Sequence, residues 1–120
     1  MKLRIQGNSI RFRLTQTEVN NFGQDDACMS KVEFPGGNTL IYRLTTASEL
    51  SSDFRNNTIT ITLPETEMES WIKSDQVGIS GDLTLENGDK LSILVEKDFK
   101  CLTERGEDES DLFPNPKESH

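Results

Sequence analysis

The chain is short of the residues from which catalytic and metal centres are usually assembled. Of its 120 residues one is histidine, His120 at the C-terminal end, and two are cysteines, Cys28 and Cys101, far apart and without a CxxC spacing. A lone terminal histidine removes the usual general base and the usual activator of a nucleophile. Two distant thiols with no internal histidine make neither a zinc-type ligand set nor a disulfide scaffold, and both are expected as buried, reduced cysteines. No Walker, Rossmann, zinc or triad pattern occurs, so no metal and no cofactor is expected. Long apolar runs are missing as well. Nothing approaches the length needed to cross a bilayer, and "MKLRIQGNSI" lacks the continuous apolar stretch of a secretory signal. These absences predict a cytoplasmic protein without membrane association.

What the chain does hold is enough apolar side chain for one core. Hydrophobic residues make up 32% and charged residues 28%, an ordinary balance for a single domain with a solvated surface. The net charge of −8 is unevenly spread: the first 43 residues carry six basic against four acidic groups, the remainder seven against seventeen. Such a field disfavours general nucleic-acid binding yet leaves room for a local basic patch.

Period-2 alternation marks the strands. In "KLRIQGNSIRFRL" (2–14), Leu3, Ile5, Ile10, Phe12 and Leu14 share one face across a Gly-Asn turn. "TQTEVNNFG" then has the Thr15/Glu18 spacing of a capping box, with Val19 and Phe22 on one side and Gly23 placed to end a short helix in a left-handed cap. "CMSKVEF" and "TLIYRL" flank the turn "PGGN". "TTASELSSDFRNN" reads as a connection holding a short edge strand around Phe54. "TITITL" follows, and then "PETEMESWIKSD", with Pro64 at a favoured first helical position and Met68, Trp71 and Ile72 as the core stripe. "VGISGDLTL" and "KLSILVEKDF" form a last hairpin, for which Asn87-Gly88 predicts a type I′ turn.

Residues 9–22, "SIRFRLTQTEVNNF", align without a gap on 58–71, "TITITLPETEMESW". Ile10 meets Ile59, Leu14 meets Leu63, Glu18 meets Glu67, Phe22 meets Trp71. The order β-α-β-β therefore occurs twice, and since one such unit leaves an apolar face uncovered, two are expected to pack about a pseudo-twofold. The fold expected is α+β: tandem halves 1–46 and 47–102 in one domain, a mainly antiparallel sheet or half-barrel with two short helices, and an acidic, flexible tail over 103–120. Within that tail Leu112 and Phe113 are expected to dock back on the domain.

"QGNSIRFRLTQTEV", "SDQVGISG" (74–81), "VEKDFKCL" (95–102) and "DLFPNP" together resemble a small family of uncharacterised bacterial proteins, along essentially the whole chain. The resemblance implies a bacterial cytoplasmic protein and carries no functional residue.

One chemical oddity stands out. Pairing the opening strands across their turn puts Arg4 opposite Arg11 and Lys2 opposite Arg13, and like charges so placed destabilise a sheet by roughly 0.2–1 kcal/mol per pair. An anion should lie against them: internally Glu96, Asp98 or the 104–111 tail, externally a phosphate-bearing ligand or an acidic surface. The expected function is thus a non-catalytic binding module using Lys2, Arg4, Arg11 and Arg13, with Arg43 added, for an anionic small molecule or acidic protein surface. A second stretch of interest is the loop Ser74, Asp75, Gln76, Gly78, Ser80, Gly81 and Asp82, read as a structural turn into a strand, because a helix C-terminus repels phosphate. The alternatives are a small carboxylate enzyme, metal-assisted in one version, built on Asp75 and Asp82, and a homodimer whose basic face meets the acidic second half of its partner.

Overall fold

The computed structural model describes residues 1–99 together with 111, 113 and 114. Cys101, Leu112, residues 104–110 of the tail and His120 lie outside the described residues. The elements run β1 Lys2–Gln6, β2 Ser9–Leu14, α1 Gln16–Asp25, β3 Ala27–Glu33, β4 Thr39–Ala47, β5 Ser51–Arg55, β6 Thr58–Pro64, α2 Glu65–Lys73, β7 Gly78–Thr84 and β8 Lys90–Lys97. The α+β class and the two helices are those expected from the sequence. The repeat unit is one strand longer, β-β-α-β-β, because β5 pairs with β6 just as β1 pairs with β2.

The halves do not build separate sheets. The strand orders are β1-β2-β8-β7 and β3-β4-β6-β5, so each sheet takes one hairpin from each copy. The hairpins meet along parallel central pairs, β2 with β8 and β4 with β6, while every other pair is antiparallel. Registers match between the sheets. Ile10 lies beside Ile93 as Ile59 lies beside Tyr42, and Phe12 beside Val95 as Ile61 beside Leu44. Exchanging hairpins answers the problem posed by one unit: neither half can cover its own apolar face, whereas together they share one core of Phe12, Leu14, Leu44, Ile61, Leu63, Trp71 and Val95.

The four hairpin turns lie at one end of both sheets. At the other, α1 leads from β2 to β3 and α2 from β6 to β7, so each helix joins one sheet to the other and adds Val19, Phe22, Met68 and Trp71 to the core. Helix α1 carries the expected capping box: Glu18 N donates to Thr15 Oγ1 at 3.3 Å and Thr15 N to Glu18 Oε1 at 2.9 Å. Its C-cap is Asp26 (φ 56°) rather than Gly23, which stays helical with Ile72 of α2 beside it. Close helix contact, not a left-handed φ, is what that glycine provides. Pro64 closes β6 and stands as the N-cap of α2 instead of its first residue, and without a side-chain oxygen it makes no capping bond.

Turn chemistry departs from the sequence reading at 85–89. Gly88 has φ 90° but Asn87 does not have a positive φ, and Leu85 N donates to Asp89 O while Gly88 N donates to Leu85 O. The loop is therefore wider than a two-residue type I′ turn. Both central residues of the β5–β6 turn, Asn56 and Asn57, do have positive φ (50° and 59°).

Part of the tail docks. Asp111 O accepts from Gln16 N at 3.0 Å, its carboxylate accepts from Thr17 Oγ1 at 2.9 Å and Thr17 N at 3.3 Å, and Phe113 N donates to Asp98 O at 2.9 Å. With Thr15, the segment satisfies the first N–H groups of α1 that no helix can satisfy itself. Phe113 packs on Phe99 with ring centroids 5.8 Å apart, as expected for the apolar exception in the tail.

Candidate functional site

Strand alternation delivers the four cations to one surface. Lys2 pairs with Arg13 and Arg4 with Arg11, while Leu3 and Phe12 between them turn to the core. β8 extends the face, setting Glu96 beside Arg13 and Leu94 beside Arg11. Glu96 Oε1 receives both guanidinium groups, 2.8 Å from Arg13 Nε and 3.5 Å from Arg11 Nε. Lys2 Nζ lies 3.1 Å from Oδ2 of Asp98, a carboxylate 2% exposed. Arg4 has no ion pair among the described residues. Among the described residues two carboxylates thus face the four positive groups, around a cleft of about 370 Å³ lined by Lys2, Leu3, Arg4, Arg11 and Arg13.

Glu96 and Asp98 are the internal counter-ions named from the sequence. Arg43 does not join the group. It stands on β4, in the other sheet, where its Nε donates to Thr60 Oγ1 at 3.1 Å. The hairpin exchange explains the separation: alternation gives a side chain its face, but only long-range pairing gives its sheet. The duplication also supplies an internal comparison. At positions equivalent to Lys2, Arg4, Arg11 and Arg13 the second copy has Ser51, Asp53, Thr60 and Thr62, in the same register. The scaffold forms this hairpin with no cation at any of those four positions, its one arginine, Arg55, being paired with Asp53.

The stretch 74–82 is structural in the main. A Cβ on Gly78 would sit 2.8 Å from Val95 O, and one on Gly81 would sit 2.5 Å from Leu50 Cδ2, so both glycines admit neighbours of β7. Ser74 Oγ donates to Ser70 O, and Gln76 Nε2 to Gly78 O, closing the turn after α2. Asp82 accepts from Ser92 Oγ at 2.9 Å on the outer face. Asp75 precedes the far end of β7; at roughly 3.3 Å per residue, Asp82 is about 13 Å beyond Gly78, so the two carboxylates do not converge. No group of three or more potential metal ligands forms among the described residues.

One feature went unread in the sequence. Lys97 is buried at the end of β8; its Nζ donates to Ser74 O at 2.7 Å and lies 6.0 and 5.5 Å from the Trp71 and Phe113 ring centroids. Burial pulls its pKa below the usual lysine value, and Asp75 opposes that shift. The signal was available: Leu91, Ile93, Val95 and Lys97 share one strand face. Cys28, expected as a buried reduced thiol, is free and only half-buried; its thiol is pushed above its usual pKa by burial and then by Glu18, against the N-terminal ammonium and a backbone hydrogen bond. That ammonium is paired with Glu18. Among the described residues no helix is long and apolar enough to cross a membrane.

Neither the curated proteins nor the solved structures contain a match to this chain. A family model does match, over residues 1–117, and so runs from the basic hairpin past the docked Asp111 and Phe113. The chain belongs to the family of unknown function DUF7009.

Proposed function

We propose that the protein is a non-catalytic binding module that takes an anionic group on the outer face of β1, β2 and β8, with Arg4 and Arg11 as its principal contacts. The observation that carries this reading is the comparison between the copies. The same hairpin exists with Ser51, Asp53, Thr60 and Thr62 in place of four cations, so packing does not require the charge, and cross-strand repulsion makes it unfavourable. Among the described residues two carboxylates neutralise part of it and none pairs with Arg4, which is exposed beside the cleft. A forked guanidinium pair across adjacent strands suits phosphate or clustered carboxylate oxygens. The same reading keeps the bacterial, cytoplasmic setting drawn from the sequence.

The test is thermal shift with pyrophosphate, tripolyphosphate and a polyglutamate peptide, on the wild type and on Arg4→Ala/Arg11→Ala. Both side chains lie outside the core, so the variant keeps the fold. A probe at a hundred times its Kd should stabilise the wild type by about 2.7 kcal/mol and leave the variant unmoved. Equal stabilisation of both proteins, or of neither by any probe, refutes the reading.

A further inference from the structure

The helices close one end of the space between the sheets; the end that carries the four turns has no helix among the described residues. A slot of about 590 Å³ opens there and reaches down to Ile61, which has no exposed surface. Its apolar walls come in pairs related by the repeat: Ile5 with Phe54, Ile10 with Ile59, Leu40 with Leu91. Ile5 is 58% and Phe54 68% exposed. A single exposed aliphatic is ordinary; the same positions left apolar and uncovered in both copies, around one hollow on the pseudo-twofold, are not.

The slot opens where an inward pair is smaller in the second copy than in the first. Leu3 lies across from Phe12 in β1–β2, whereas its equivalent Ser52 lies across from Ile61 in β5–β6. The smaller side chain leaves the space above Ile61 unfilled. Its hydroxyl makes no hydrogen bond to the described residues and lines the opening. The one charged group at the wall, Asp53, is neutralised by Arg55 Nε at 2.9 Å.

We propose that this slot binds an uncharged, slender apolar molecule with a hydrogen-bonding end, in the class of a medium-chain alcohol, amide or ester, the chain lying between the sheets and the polar end meeting Ser52. A volume within the 300–1,000 Å³ of small-molecule sites, with walls mostly of aliphatic and aromatic carbon, suits such a ligand. A free carboxylate or ammonium would have to shed water against apolar walls with no open counter-charge. A second copy fits the slot poorly, since two hollows meeting mouth to mouth would enclose an empty volume in place of interlocking surfaces. The site is separate from the basic face, on the opposite side of β1 and β2.

N-phenyl-1-naphthylamine, an uncharged dye that brightens in apolar surroundings, serves as probe. Saturable one-to-one binding to the full chain is expected, with 1-decanol displacing the dye at concentrations at least tenfold below those of decanoate or decyltrimethylammonium. Ser52→Leu, which installs the residue of the first copy, should abolish dye binding with the melting temperature unchanged or raised and the response to pyrophosphate intact. Phe54→Ser, at a highly exposed position, should weaken dye binding at least fivefold. Dye binding that survives Ser52→Leu, equal displacement by decanoate, or no saturable binding overturns the assignment. So does a wild-type dimer in sedimentation that Phe54→Ser dissociates, which would make the second copy the occupant.

Discussion

Replacing Glu96 by glutamine should move stability and anion binding in opposite directions. The carboxylate sits 2.8 Å from Arg13 Nε and 3.5 Å from Arg11 Nε, contacts worth about 1.5 and 1.2 kcal/mol at the dielectric of water. Both arginines are more than a third exposed, or nearly so, and the amide oxygen keeps one hydrogen bond, so the net loss of stability should be about 1–2 kcal/mol. Binding behaves otherwise. A doubly charged anion held ~6 Å from Glu96 is repelled by about 1.4 kcal/mol in water, so removing that charge should tighten pyrophosphate roughly tenfold at low salt. With a Debye length near 8 Å at 0.15 M the gain falls to about threefold. Urea unfolding of the free protein and calorimetric titration with pyrophosphate at two salt concentrations measure the two effects. Lowered stability with an unchanged or weakened Kd would mean that Glu96 serves packing alone and that no anion sits on this face.

Three further outcomes follow from the geometry. Gly78→Ala should destabilise by about 1–3 kcal/mol, because the added Cβ meets backbone at 2.8 Å, while Gly81→Ala meets the flexible end of Leu50 and should lose less than half as much by urea unfolding. Asp111→Ala should cost about 1 kcal/mol through the N-terminus of α1, and Thr15→Ala a similar amount; amide exchange at Gln16 and Thr17 should quicken in the first variant. Because burial lowers the Lys97 pKa in the folded state, the unfolded chain holds that proton to higher pH, and stability from this group rises with pH between the folded value and about 10.5. The stability gap between wild type and Lys97→Met should therefore shift in favour of the wild type across that window in parallel urea titrations; a constant gap would show that Lys97 is ordinarily solvated.

Local chemistry was readable wherever it decided the outcome locally. Alternation in "SIRFRL" and "TITITL" gives strands whose inward residues, Phe12, Leu14, Ile61 and Leu63, have no exposed surface. The Thr15/Glu18 box started its helix where the spacing placed it. β5 gave only a weak signal, since every residue of "SSDFR" remains exposed and no apolar alternation is needed there. At Gly23 tertiary packing overrode local preference, because α2 needed close approach more than α1 needed a glycine cap. The sheets were the hardest to read. No local pattern tells β2 to pair with β8 across more than eighty residues, and that pairing decides both that Glu96 reaches Arg13 and that Arg43 does not join them.

Both proposed sites lie where two superimposable copies have ceased to match. Positions kept apolar and buried in both copies, Phe12 with Ile61, Leu14 with Leu63, Phe22 with Trp71, are core, and their chemistry is what any folded version of this scaffold needs. Where they differ, the change runs against stability: cations face one another on one copy's hairpin, and Ser52 leaves unfilled a volume that Leu3 occupies in the other. A duplicated fold thus carries its own reference state. Restoring symmetry by Ser52→Leu and by Arg4→Asp, the residues found in the opposite copy, should leave the stability equal or higher while removing the apolar slot in one case and, in the other, the guanidinium that has no ion pair among the described residues. If both reversions instead unfold the chain, the asymmetry belongs to packing between unlike halves, and neither surface is free to serve a ligand.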